Sequence, residues 1–183
     1  MKKLPIKPVV LPAHLKGCKP GKLDEAVLVR LEKGGKLEKN TADAWNAMVS
    51  SAKFYGVELK PTSVGDVYRT FDSQLAGFRD RYVLKDTGTG KTRKFRNKTW
   101  YLKKGKAPMA APGTSNHNLG IAIDVANANG KILEWLLANA DDYGFTWELQ
   151  VEPWHIRYVC GDAIPAKVTA WKEAQDATAC TYS

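Results

Sequence analysis

"SNHNLGIAID" spans Ser115–Asp124 and "EPWHIRYV" spans Glu152–Val159. Only three histidines occur in 183 residues, and two of them, His117 and His155, fall in these stretches, each with a carboxylate nearby. "GIAIDVA" alternates in the strand sense. Ile121, Ile123 and Val125 point one way, and Gly120, Ala122 and Asp124 the other. "HIRYV" reads as a second short strand. If the two pair, His117, Asp124 and His155 converge. Around them the chain mixes helices and hairpin-forming strands without a βαβ rhythm, which predicts an α+β fold: a small antiparallel sheet with flanking helices.

Working outward, Thr41 is the expected N-cap of a helix over 42–55 that buries Ala44, Trp45, Met48, Val49, Ala52 and Tyr55. "VGDVYRTFDSQLAGFRDRYVL" reads as a strand ending near Arg69. A helix over 71–83 follows, capped by Thr70, with Phe71, Leu75, Phe78 and Tyr82 as its buried stripe. Residues 23–32 fit a short helix or a strand equally. Residues 86–113 are irregular, with the TGTGK turn joining two short strands of which "KTWYL" is the second. "GKILEWLLANADDYG" reads as a helix of about ten residues that ends around Asp141–Gly144, "FTW" as a strand, and a last helix begins near Pro165. The expected organisation is an N-terminal arm over 1–40 and one domain over 41–178 that carries a long basic loop at 85–113.

Composition narrows the partners. The net charge is +9, and the segment Lys85–Lys106 holds nine basic residues against Asp86 alone, so +8 of it sits there. Such a patch suits a polyanion: an anionic cell wall, a membrane surface or nucleic acid. Nucleic acid is the weakest of these, because the segment lacks the interleaved stacking aromatics of a dedicated reader, although Phe95, Trp100 and Tyr101 are present. No apolar run reaches the roughly 18 residues of a membrane span. Lys7 with Pro5, Pro8 and Pro12 breaks up any signal-peptide core, so no secretory signal is expected. Three cysteines without CxxC spacing predict no structural disulfide. His14, outside both motifs, reads as an incidental loop residue.

A catalytic zinc takes about three protein ligands and keeps one position for water. His117, Asp124 and His155 are donors of the right kind, and HExxH is absent. Glu152 lies three residues before His155, which in a regular strand would put it on the opposite face. Pro153 favours a bend that turns it back. From spacing alone, a metal site and a set of capping or surface residues both stand.

The motifs also carry a resemblance. Ser-x-His-x-x-Gly-x-Ala-x-Asp followed by Glu-x-x-His and an Arg-Tyr-Val strand resembles the D-Ala-D-Ala carboxypeptidase (VanY-type) branch of the LAS zinc peptidases, which share the hedgehog fold. The likeness covers about residues 62–160. It implies zinc ligands at His117, Asp124 and His155, and a general base at Glu152. "VYRTFDSQ" resembles the family's Tyr-Arg-Ser-x-x-x-Gln segment. Arg69 would there stabilise the developing oxyanion, and Gln74 and Ser115 would line or support the substrate site. Trp154 is a candidate substrate contact, although its residue type favours core packing over a substrate platform. Thr70 stands where Ser is commoner, and the basic stretch before Ser115 is long. The implied activity is hydrolysis of peptidoglycan stem peptides, either D-Ala-D-Ala trimming or endopeptidase cleavage. The implied setting is a phage endolysin made in the cytoplasm and acting on the wall. A non-catalytic zinc-containing wall-binding module of the same fold is the alternative, and retention of Glu152 and Arg69 argues against it.

Overall fold

The computed structural model describes residues 3–180, for 179 and 180 the backbone alone. In chain order it runs through β1 (Leu28–Arg30), β2 (Lys36–Glu38), α1 (Lys39–Phe54), α2 (Phe71–Arg81), β3 (Tyr82–Val83), β4 (Thr92–Phe95) and β5 (Lys98–Leu102). It continues through β6 (Ala122–Asp124), α3 (Gly130–Asn139), β7 (Phe145–Trp147), β8 (His155–Tyr158) and α4 (Ala166–Cys180). The strands form three small antiparallel sheets, β1–β2, β3–β5–β4 and β6–β8–β7, so the α+β class holds. Among the described residues no helix is long and apolar enough to cross a membrane.

The sheet β6–β8–β7 carries Asp124 and His155 on neighbouring strands. Asp124 pairs with His155, Ile123 with Ile156 and Ala122 with Arg157. Ile121, Ile123, Phe145, Trp147 and Ile156 are buried in the main core, against Trp45 and Met48 of α1. Burial of each such side chain contributes about 1.5–3 kcal/mol, so the register that brings Asp124 opposite His155 is held by apolar residues on either side. The first forty residues pack onto this same core. Leu4, Leu15, Leu31 and Leu37 are buried in it, and Ile6 and Val10 bridge in parallel to Trp147 and Cys160.

Several local expectations change. α1 begins two residues before its expected cap. Its N-cap is Glu38, whose fully buried carboxylate accepts from the backbone N–H groups of Asn40 and Thr41 and from the Thr41 hydroxyl. His14 is no bystander: its Nε2 lies 3.0 Å from Glu38 Oε1. The helix ends at Phe54, so Tyr55 falls past it and is exposed. Residues 62–69 form no strand. They cross over the site as a loop whose backbone bonds go to separate elements, with Asp124 N–H donating to Asp66 O, Tyr68 N–H to Lys36 O and Arg69 N–H to His117 O.

α2 is capped by Thr70 as read, with the hydroxyl accepting from Ser73 N–H. It stops at Arg81, because Tyr82 enters β3 against Leu102. The β4–β5 hairpin turns at Arg96–Asn97, both at positive φ, not at TGTGK. That hairpin and α2 enclose a second, aromatic core of Phe78, Tyr82, Leu102 and Ala111, flanked by Phe95 and Trp100. Cys18 and Cys160 are free thiols, and the side chain of Cys180 lies outside the described residues.

Candidate metal centre

His117 sits on a single 3-10 turn, Asn116–Leu119. Ser115 caps it, the hydroxyl accepting from His117 N–H. Gly120 closes the turn at φ 67, and a Cβ there would come within 2.8 Å of Glu38 N. Only glycine meets both demands, which gives a physical reason for the Gly of the motif. The His117 ring is buried. Its Nδ1 lies 2.9 Å from the carbonyl of Val67, which can only accept, so Nδ1 carries the proton and Nε2 is left as a free donor atom. That Nε2 is 3.4 Å from Asp124 Oδ1.

His155 is also buried, with Nδ1 2.7 Å from Asp124 Oδ1 and Nε2 2.8 Å from Glu148 Oε2. The two imidazole centroids are 5.0 Å apart. One nitrogen from each histidine and one oxygen of Asp124 all lie within 4.8 Å of one another, a set that can hold a metal ion. With bonds of about 2.0–2.1 Å, tetrahedral donors stand about 3.3–3.4 Å apart. The His117–Asp124 separation already meets that, and His155 needs a small outward shift. Two nitrogens and one carboxylate oxygen match the donor set of a three-ligand zinc site.

The electrostatics follow from the same contacts. Burial alone would raise the Asp124 carboxyl, but the two imidazoles beside it, His117 and His155, outweigh it and hold Asp124 well below the usual carboxylate range. The hydrogen bond with His155 takes Glu148 down to about 2. Burial disfavours the His155 imidazolium, yet its two carboxylate partners raise it to about 9. In the metal-free protein the protonated His155 therefore stabilises the fold fully below its ordinary 6.5, and that contribution is lost as pH rises through about 9. Glu148 contributes above its ordinary 4.5 and loses that contribution as pH falls through about 2. We expect the urea midpoint of chelator-treated protein to fall between pH 6.5 and pH 9.5. A flat midpoint would mean that His155 is not held between two carboxylates.

Beside Asp124 opens a cleft of about 600 Å³, bordered by Thr62, Asp66, Asn127, Asn129, Pro153 and Trp154. Trp154 is thus a half-exposed wall of the cleft and not part of the core. Arg69 is mostly buried. Its guanidinium donates to Gly65 O at 2.9 Å, to Gln74 Oε1 at 3.0 Å and to Asp66 Oδ1 at 3.3 Å. Burial pulls its pKa down, while Asp66 and then Asp124 act in the opposite direction. Gln74 is buried and braces Arg69, its amide donating in turn to Ala110 O. Glu152 opens the turn Glu152–His155, closed by His155 N–H donating to Glu152 O at 3.1 Å with Pro153 at the second position. The expected bend is present. Among the described residues no hydrogen bond or ion pair reaches the Glu152 carboxylate.

Glu148 was not anticipated. The signal for it is the hairpin register: Trp147 faces Ile156, so the next residue along comes beside His155.

The sequence profile of the VanY family, D-alanyl-D-alanine carboxypeptidase, matches residues 34–161. The chain belongs to the VanY family. The match begins well before residue 62, so β2 and α1 are part of the family unit. YodJ of Bacillus subtilis is 31% identical across 67% of this VanY-family chain and 46% of its own length. A D-alanyl-D-alanine carboxypeptidase of Enterococcus faecalis is 37% identical across 28% of this chain and 25% of its own. The chain thus spans less than half the length of these relatives. Among solved structures, VanYB in complex with D-alanine-D-alanine superposes with a TM-score of 0.55 at 22% identity, covering 91% of this chain and 92% of that one. The LD-carboxypeptidase LdcB gives 0.54 at 24% identity over 85% and 77%. A zinc complex of a vancomycin-resistance D,D-pentapeptidase VanY gives 0.51 at 23% identity over 72% and 78%. These likenesses establish a shared fold.

Proposed function

We propose that this VanY-family chain is a zinc-dependent peptidase that hydrolyses peptide bonds in peptidoglycan stem peptides. The observation that carries the reading is the convergence of His117, Asp124 and His155, with one donor atom each, at the edge of an open cleft. A zinc ion held there would polarise the scissile carbonyl and bring the pKa of a water molecule toward about 7. Glu152, adjacent in the turn and with its carboxylate unpartnered, takes the proton of the attacking water and returns it to the leaving amine. Arg69 has five N–H donors, three of them engaged in fixing its plane. The two that remain serve the oxyanion as it develops, a role suited to a prealigned cation. Ser115 shapes the turn that carries His117, and Trp154 offers an aromatic wall to the substrate chain.

The neighbours whose names include D-alanine-D-alanine and LD-carboxypeptidase favour removal of a terminal D-amino acid over internal cleavage. Mass spectrometry of muropeptides after digestion, with and without chelator, tests the whole reading. Loss of one alanine, abolished by chelation and restored by zinc, is the expected result. Separated stem fragments would make the enzyme an endopeptidase of the lysin kind. No change in any muropeptide would leave the non-catalytic wall-binding alternative in place.

The basic hairpin supplies the wall contact in this proposal. Arg93, Lys94, Arg96 and Lys98 are exposed on β4–β5, which the aromatic core beneath holds in shape. Neutralising Lys91, Arg93, Lys94 and Arg96 together is expected to weaken sedimentation with purified walls, most at low salt, where screening is least. Unchanged sedimentation would remove the hairpin from the binding scheme, and a salt-dependent gel shift with DNA would redirect it to nucleic acid.

A further inference from the structure

We propose that Glu148 is the positioning residue of the metal centre. It accepts the Nε2–H of His155 and thereby turns the Nδ1 lone pair toward Asp124 and His117. The inference rests on the metal reading above and adds a residue to it.

Three observations carry the assignment. Glu148 Oε2 lies 2.8 Å from His155 Nε2, on the side of the ring away from Asp124 Oδ1 at Nδ1. A carboxylate in that place faces the far edge of the imidazole, outside the His117–Asp124–His155 group. An imidazole with a proton on Nε2 and none on Nδ1 is the tautomer that can bind through Nδ1, and an acceptor at Nε2 selects it.

Second, Glu148 is itself fixed from both motifs. Asn116 Nδ2 donates to Oε2 at 2.8 Å, and Arg157 Nη1 lies 3.6 Å from Oε1. Asn116 is the residue before His117, and Arg157 stands two positions beyond His155 on the same face of β8. One carboxylate therefore ties the turn that carries the first ligand to the strand that carries the third.

Third, the arrangement parallels that of His117, whose Nδ1–H is given to the Val67 carbonyl so that Nε2 is free. The two histidines present opposite nitrogens to the centre, and each has an acceptor at its other nitrogen. A backbone carbonyl serves one and the Glu148 side chain the other, so only the second can be removed by substitution.

The test uses the full chain, wild type and the variants Glu148→Ala and Glu148→Gln, each checked by circular dichroism. Zinc affinity is measured by competition with a chromophoric chelator. Imidazole nitrogen shifts of the zinc-loaded protein are read by long-range proton–nitrogen NMR. Wild type is expected to show His155 protonated at Nε2. Glu148→Ala is expected to bind zinc about 10–100-fold more weakly, the usual cost of losing an outer partner. Glu148→Gln keeps an acceptor oxygen and is expected to recover part of that loss while retaining the Nε2–H tautomer. Such a rescue separates positioning from general destabilisation. Wild-type affinity in Glu148→Ala, or a zinc-loaded wild type with His155 protonated at Nδ1, overturns the assignment and leaves the metal centre standing. A wild type that takes up no zinc overturns the metal reading and this proposal with it.

Discussion

His117→Ala is expected to abolish zinc binding and peptidase activity together. The ring supplies one of three donors, and its loss leaves two donors, Asp124 and His155, that are 2.7 Å apart and already satisfied by each other. A two-donor site of that kind closes on itself as a hydrogen-bonded pair. The drop in affinity should exceed the roughly 10–100-fold that follows loss of an outer partner. A folding cost comes with it, since the Val67 carbonyl loses its donor in a buried place, worth about 1–3 kcal/mol. The main core does not pass through His117, so the variant should remain folded. Chelator competition and residual activity are the measurements. A folded His117→Ala protein that still binds zinc with near-native affinity would exclude His117 from the ligand set.

The parts of this site that were legible in the sequence are those fixed by strong local rules. Alternation in "GIAIDVA" and "HIRYV" gave two strands whose apolar residues specify one register, and that register sets Asp124 opposite His155. Thr70 was readable as a cap because a hydroxyl before an amphipathic run has few other uses. The unreadable parts depend on contacts between distant segments. Glu is an uncommon N-cap, and Glu38 serves only because it is buried beside His14 and Thr41. Valines in "VGDVY" suggested a strand, but that segment spends its backbone groups on Lys36, His117 and Asp124, which no local pattern encodes. TGTGK carries stronger turn residues than "FRNK". The hairpin nevertheless closes at Arg96–Asn97, because that register places Phe95 and Trp100 beside Phe78. Glu148 was missed for the same reason: its partners are 7 and 32 residues away.

Two carboxylates now compete for the role of general base, and Glu152→Ala separates them. The substitution is expected to leave zinc affinity unchanged and to lower turnover by about 10²–10⁴-fold, the usual contribution of a positioned base. Glu148 is the poorer candidate on geometry. Oε2 is shared between His155 and Asn116, and Oε1 faces Arg157, so accepting a proton from water would break the arrangement that orients a ligand. Its hydrogen bond to His155 also holds it at about 2, far below a useful base at neutral pH. Glu152 carries no such commitments. It is half-buried, its carboxylate has no partner among the described residues, and the Pro153 turn holds it within one turn of His155. Removing an unpartnered side chain should change stability by no more than about 1 kcal/mol, so a loss of turnover can be read as chemistry. Glu152→Gln should be nearly as inactive, since the amide keeps the shape and cannot take the proton. Near-native turnover in both variants would strike Glu152 from the reaction and make Glu148 the carboxylate to examine next, with the metal ligands unaffected.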